Sequence, residues 1–387
     1  MRKLSDRSLT LQDSIFAHMT AVCSRYDAVN LSQGFPDLDP PAEILDRLRE
    51  LTEENCHQYS LTSGAMDIRE ALAVKQKRFM GMEIDPEKEI VITCGGTEAL
   101  MMAGMAVVDP GDKVVVFSPF YENYSANTIL CGGEPVFIPL TPPTYSFDPE
   151  RLEDAFRAGA KALILCNPNN PCGKVFTREE LLLIADLVRR YDAYVITDEC
   201  YEHIVYAPYE HVYFATLPGM RERTISCSSL SKTYSITGWR IGYTIAPPEI
   251  TERLRKIHEF LTVCAASPLQ EALIPGLLAD QSYYDELLRV YTAKRRFLLE
   301  GLDDIGIVHN DPHGAFYVLL DIGKYGYEND VAFCEDLAAK VGVGAVPGSG
   351  FFREPVNHLI RLNFAKREET MRAALDRLAG IDKMMRR

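Results

Sequence analysis

The chain has 387 residues and a formal net charge of −14, with 47% hydrophobic and 25% charged residues. This length is too great for one ordinary core and predicts about two or three domains, while the composition excludes a mainly disordered chain. The acidic balance disfavours nonspecific binding to phosphate backbones or anionic membranes, which leaves small molecules as the better partners.

The N-terminus, "MRKLSDRSLTLQDSIF", lacks the apolar centre of a signal peptide, and no segment is apolar for long enough to span a bilayer. A cytoplasmic enzyme is therefore expected. Up to about residue 45 the notable stretch is "LSQGFPDLDPP" (31–41), whose Gly and Pro content reads as a loop. The ten cysteines are scattered, with no CxxC pair and no zinc-ligand spacing, and read as reduced, mostly buried thiols; no metal site is expected.

From residue 89 short β-rich runs alternate with helical stretches. The strands are "EIVIT" (89–93), "KVVVF" (113–117), "EPVFI" (134–138), "KALIL" (161–165), "AYVIT" (193–197), "RTISC" (223–227) and "RIGYTIA" (240–246). The helical stretches include "TEALMMAGMAVV" (97–108) and the amphipathic "TREELLLIADLVRRY" (177–191). Near-continuous apolar strands alternating with helices imply an α/β fold with a mostly parallel sheet covered on both faces. The last hundred residues read as a smaller α+β domain with strands "AFYVLLDI" (315–322), "VGAVPGSGF" (343–351) and "HLIRLNFA" (358–365), followed by one helical stretch to the C-terminus.

Ligands of open parallel sheets gather at the carboxyl ends of the strands, so the residues after each apolar run carry the functional argument. Gly95 and Gly96 follow the first run and lead into a helix that Thr97 could cap, an arrangement suited to a phosphate or to an ordinary strand-to-helix turn. Tyr121 and Tyr124 follow the second, where a ring either stacks on a flat heterocycle or packs in the core. "CNPNNPCGK" follows the fourth: turn chemistry explains most of it, and Asn170–Pro171 is a candidate cis peptide.

Asp198 closes an apolar run, an expensive place for a carboxylate without a partner. It suits either a helix N-cap or the partner of a protonated ring nitrogen. Tyr201 lies three residues on, and His203 reads as a surface or packing residue. Lys232, in "SSLSKTYSITGWRIG", would by itself be a solvated charge, but a lysine beside a buried pocket can lose its proton and act as a nucleophile toward carbonyl groups. Arg240 could hold a phosphate or carboxylate, or form an edge salt bridge. Arg361, in the middle of an alternating strand, needs an anionic partner, either a ligand carboxylate or a structural ion pair.

Together these are the parts needed to hold pyridoxal 5′-phosphate and an amino acid. The chain resembles the class I/II aminotransferases, the fold-type I pyridoxal phosphate enzymes, and within them the branch of aspartate, aromatic, methionine and kynurenine aminotransferases. The motif order and above all "SLSKTYSITGWRIGY" carry the likeness. The resemblance implies a large domain with a seven-stranded sheet over about 46–290, a small C-terminal domain over 291–387, and an N-terminal segment, 1–45, that joins the small domain and covers the site.

It implies Lys232 as the Schiff-base lysine and proton carrier, Asp198 as partner of the pyridine nitrogen, Tyr201 and Asn170 as donors to the ring's phenolic oxygen, and Tyr121 as the stacking ring. Gly95, Gly96, Thr97, Ser229, Ser231 and Arg240 match the phosphate-binding set. Arg361 matches the α-carboxylate clamp, with Asn170 and Gly34 also on the substrate side. Tyr59 matches a tyrosine that reaches the neighbouring subunit's phosphate, so a homodimer with shared sites is implied.

The implied activity is ping-pong transfer of an amino group from an L-amino acid to a 2-oxo acid. The expected donors are neutral, sulfur-containing or aromatic, since no second cation for a side-chain carboxylate is evident. C–S β-lyase activity on the same scaffold, or a non-catalytic pyridoxal phosphate-binding module, are the alternatives. The stretch holding His313 approaches the small-domain side of the site in relatives.

Overall fold

The computed structural model describes residues 9, 11 and 14–385. Its strands, in chain order, are β1 (Val29–Asn30), β2 (Ile90–Thr93), β3 (Lys113–Ser118), β4 (Glu134–Pro139), β5 (Ala160–Cys166), β6 (Tyr194–Asp198), β7 (Thr224–Ser229), β8 (Gly242–Ile245), β9 (Tyr317–Asp321), β10 (Val343–Gly344), β11 (Val346–Pro347) and β12 (Leu359–Asn363). Seven of them form the central sheet in the order β2-β8-β7-β6-β5-β3-β4, in which only β8 runs against its neighbours.

Period-2 alternation divides the apolar strands between the two faces of this sheet. Val115 and Phe117 face one core with Leu163, Leu165 and Val195, while Val114 and Val116 face another with Ile164 and Ile196. Burying each such side chain contributes about 1.5–3 kcal/mol before the entropy of ordering it is charged against it. The helix Arg178–Arg190, which covers one face, starts where its sequence says it must. Thr177 Oγ1 accepts from the Glu180 amide at 3.2 Å, and Glu180 Oε2 accepts from the Thr177 amide at 2.9 Å, a closed capping box.

A second, antiparallel sheet, β11-β12-β9, belongs to the C-terminal part, and β1 pairs in parallel with β10. "VGAVPGSGF" is therefore not one strand. It divides between two sheets around Ala345 and ends in the 3₁₀ turn Gly348–Gly350, because Pro347 removes a ladder donor. The C-terminal stretch likewise breaks into Glu368–Leu378 and Ile381–Met385 at Ala379 and Gly380. Met19, Val22 and Leu31 share one core with Tyr291, Phe333 and Leu362, so the N-terminal segment packs with the C-terminal part. The 24-residue helix Gln281–Asp304 runs unbroken through residue 290. No helix among the described residues is long and apolar enough to cross a membrane.

Candidate active site

A cavity of about 810 Å³ lies at the carboxyl ends of β3, β5, β6 and β7, roofed by the N-terminal segment and walled by β9 and β12. Its size falls in the usual range for small-molecule sites, roughly 300–1,000 Å³. Because β8 is antiparallel to both β7 and β2, the loop after β2 opens at the same edge.

Lys232 lies in the short helical turn Leu230–Thr233 directly after β7, with its side chain at the cavity. Its Nζ donates to the Gly34 carbonyl at 2.6 Å and stands 5.7 Å from the centre of the Phe316 ring. Burial pushes the amine from its ordinary 10.5 down to about 8. Arg361 and Arg240 act in the same direction, while Cys200 and Asp198 oppose it.

Asp198 ends β6. No helix follows it, so it is not an N-cap: Oδ1 accepts from the Cys200 amide at 3.2 Å and Oδ2 from the Tyr124 hydroxyl at 2.7 Å. Tyr124 stands edge-on to Tyr121, whose ring lines the cavity, with centroids 5.9 Å apart. Burial, with Glu122 and Asp198 nearby, raises the Tyr121 hydroxyl to about 12. His203 is a packing residue, set between the Phe79 and Tyr284 rings at 4.5 and 4.6 Å.

Arg361, fully buried in the middle of β12, is stacked on Tyr317 at 4.1 Å and flanked by the Phe351 and Phe16 rings at 4.7 and 5.0 Å. Its guanidinium donates to Asn170 Oδ1 at 2.8 Å and to the Ser32 carbonyl at 3.1 Å; Nε has no partner, and no carboxylate among the described residues pairs with it. The described residues thus give Arg361 no structural ion pair of the kind the sequence left open. Two residues along β12, on the same face, Asn363 donates to the Gln33 and Phe35 carbonyls at 2.6 and 3.1 Å, so the strand that carries Arg361 also pins the loop over Lys232.

At the phosphate end the helix Gly96–Val107 is capped by Gly95, not by Thr97, which sits within its first turn. The cause is backbone geometry: Gly95 has φ +83°, and a Cβ there would strike the Arg240 guanidinium. Gly95 therefore lies behind Arg240 rather than on the cavity wall. Arg240 is not a strand residue. It follows the 3₁₀ turn Thr237–Trp239 with φ +56°, a left-handed conformation costing a non-glycine residue about 1–3 kcal/mol, and donates to the Thr237 carbonyl at 3.0 Å instead of to a surface carboxylate. Ser229 Oγ accepts from the Ser231 amide at 3.2 Å, while Ser231 Oγ is buried without a partner.

The donor set fits pyridoxal phosphate. An orphaned serine hydroxyl, the amides opening a 12-residue helix and an arginine converge at one end of the cavity. A carboxylate and an amine of lowered basicity line its centre, and an unpaired guanidinium the other end.

Gly34, Gly96, Thr97, Tyr121, Asn170, Asp198, Tyr201, Ser229, Ser231, Lys232, Arg240 and Arg361 all line this one cavity. Tyr59 does not; it lies on the outer surface, 81% exposed. Asn170–Pro171 is cis, as is Asn167–Pro168.

Sequence reasoning missed Tyr317, whose hydroxyl lies 2.8 Å from that of Tyr201 and whose ring supports Arg361. Nothing in "AFYVLLDI" distinguishes it from a core aromatic. The hydrogen bond from Tyr124 to Asp198 was also missed, although Tyr124 stands one helical turn after Tyr121. The ten cysteines are all free; Cys23, Cys166, Cys172, Cys227 and Cys334 are buried and the others partly so.

Residues 26–378 match the family model described as aminotransferase class I and II. Methionine aminotransferase of Escherichia coli is 36% identical over 369 residues, covering 95% of this chain and 96% of that protein. Human kynurenine–oxoglutarate transaminase 1 is 33% identical over 392 residues, covering 92% and 93%. The solved structure of N-succinyldiaminopimelate aminotransferase from Mycobacterium tuberculosis superposes with a TM-score of 0.93 at 35% identity, covering 98% of this chain and 99% of that one.

Proposed function

We propose a substrate class and a working assembly from the premise that this chain belongs to the class I and II aminotransferases and is a pyridoxal 5′-phosphate-dependent transaminase, moving an amino group from an amino acid to a 2-oxo acid. The donor is an L-amino acid with a neutral, sulfur-containing or aromatic side chain, and the acceptor is 2-oxoglutarate or another 2-oxo acid. The observation that carries this reading is Arg361, wholly buried, without an acid partner and set among three aromatic rings. Such a guanidinium suits one substrate carboxylate, and the rings suit an apolar side chain beside it. The relatives named for methionine and for kynurenine support the same class.

When bound, pyridoxal phosphate supplies a carbonyl that takes up the amino group and a ring that accepts the electron pair left at the substrate Cα. In this proposal Ser229, Ser231, Arg240, Thr97 and Gly96 would hold its phosphate, with Gly95 making room for Arg240, Asp198 would hold its ring nitrogen, Tyr201 and Asn170 its phenolic oxygen, and Tyr121 a ring face. Tyr124 fixes Asp198 by its 2.7 Å hydrogen bond. Lys232, with its basicity lowered to about 8, can release and retake a proton near neutral pH, which a lysine at its ordinary value cannot do efficiently. Arg361 orients the substrate through a two-pronged grip on its carboxylate, with Asn170 and Ser32 setting the plane of the guanidinium.

The proposed assembly is a homodimer in which Tyr59 reaches the partner's phosphate. Its support is the exposure of Tyr59, Leu61 and Phe260, at 81%, 62% and 89%, on adjoining segments linked by the 2.7 Å hydrogen bond from Ser267 to the Gln58 carbonyl. We also propose that 1–45 and 291–387 act as one smaller unit on the 46–290 unit, supported by the core that Met19 and Leu31 share with Tyr291. The free cysteines favour a reducing, cytoplasmic compartment.

A donor panel tests the substrate class: methionine, phenylalanine, glutamine, aspartate and glutamate, each scored by the absorbance change as the bound cofactor takes up the amino group. Fast conversion by the neutral and aromatic donors is expected. Conversion by aspartate alone would overturn the class.

A further inference from the structure

Among the described residues Glu122 is the one acidic side chain that lines the cavity besides Asp198, and no role in cofactor binding accounts for it. It stands next to Tyr121, at the start of the helix Asn123–Leu130, and its Oε1 accepts from the Ser14 hydroxyl at 2.8 Å. Ser14 and Phe16 also line the cavity, and Phe16 lies against both Arg361 and Tyr121, with its ring 5.0 and 6.5 Å away. Glu122 thus sits where a substrate side chain would emerge from the Arg361 end. Its charge acts on both neighbours: it adds to the burial that raises the Tyr121 hydroxyl, and it opposes the burial that lowers the Arg361 guanidinium.

The cations lining the cavity are Lys232, Arg240 and Arg361, and each has a role already. Nothing described is left to neutralise a second substrate carboxylate, and the side-chain region carries a negative charge instead.

We propose that Glu122 sets the specificity of the amino-transfer site against side chains that end in a carboxylate and in favour of those that end neutral or in a hydrogen-bond donor, so that of the two kinds of acceptor it favours a 2-oxo acid with a neutral side chain over 2-oxoglutarate. This rests on the assignment of Arg361 to the α-carboxylate. The physical cause is like-charge repulsion across the cavity, added to one carboxylate oxygen that has no partner among the described residues and can accept a hydrogen bond. The hydrogen bond from Ser14 holds the carboxylate in place, and the helix start behind it favours negative charge there.

L-glutamate and L-glutamine differ only in the charge at the side-chain end and make the decisive pair. Single-turnover amino transfer to the loaded enzyme gives the glutamate-to-glutamine ratio for the wild type and for Glu122→Gln, Glu122→Asp and Ser14→Ala. Association constants of glutarate and its monoamide, measured by calorimetry, give the corresponding acid-to-amide ratio without turnover. Glu122→Gln should raise both ratios about tenfold or more, Glu122→Asp should not raise them, and Ser14→Ala, which loses the contact but keeps the charge, should change them little. Unchanged ratios in Glu122→Gln, or an equal rise in Ser14→Ala, would overturn the proposal. If no amino acid converts the cofactor in the wild type, the aminotransferase reading fails separately, and the glutarate pair still decides the role of Glu122.

Discussion

Lys232 Nζ and the carbonyl oxygen of Gly34 are 2.6 Å apart, although 198 positions separate the two residues in the chain. The amine that follows the large sheet's β7 is thus held by the loop that the small sheet pins through Asn363, so the two sheets meet at this contact.

Replacing Lys232 with alanine tests its proposed role in carrying a proton between substrate positions. The expected loss in kcat is about 10³-fold or more. Borohydride treatment followed by mass spectrometry should also find no cofactor fixed to the variant, against one per chain in the wild type.

The lowered basicity of Lys232 has a sign that can be checked in cofactor-free protein. The amine is protonated below about 8 and neutral above it, whereas ordinary lysines stay protonated up to about 10.5. Acylation at Lys232, followed by peptide mass mapping, should therefore have its midpoint near pH 8. Between these two values the unfolded chain binds the extra proton, so this group's contribution makes the fold more stable as pH rises. A midpoint with the bulk lysines would contradict the burial argument.

Gly34 is a packing requirement. A Cβ there would stand 2.5 Å from the Tyr317 hydroxyl. Gly34→Ala should destabilise by about 1–3 kcal/mol, as overpacking does, and weaken turnover by shifting the carbonyl that meets Lys232. Adding Tyr317→Phe, which removes the obstructing oxygen, should recover part of the melting temperature in thermal unfolding.

Arg361→Lys keeps the charge and loses the planar fork that reaches Asn170 and Ser32 together. Substrate binding should weaken by about 1.5–3 kcal/mol, the worth of a hydrogen bond to a charged group. This should appear chiefly as a higher KM for the amino acid, with the cofactor absorbance unchanged.

The element types were legible in the sequence because local physics fixes them, and most of the candidate site residues named from it line one cavity. The apolar runs that end at Thr93, Ser118, Cys166, Asp198 and Ser229 are strands whatever their neighbours, and chemistry-bearing residues follow each of them. The capping box at Thr177 marks its own helix.

What depends on neighbours distant in the chain was not legible. The helix is capped at Gly95 rather than Thr97, and position 95 takes glycine because Arg240, more than 140 positions later, occupies the space a Cβ would need. The segment 343–351 divides between two sheets because one half meets β1 and the other β12. Only the tertiary structure decided that Tyr317 supports Arg361, that Tyr124 anchors Asp198 and that Glu122 lines the cavity, since contacts and burial are properties of the assembled cavity and of no single stretch of chain.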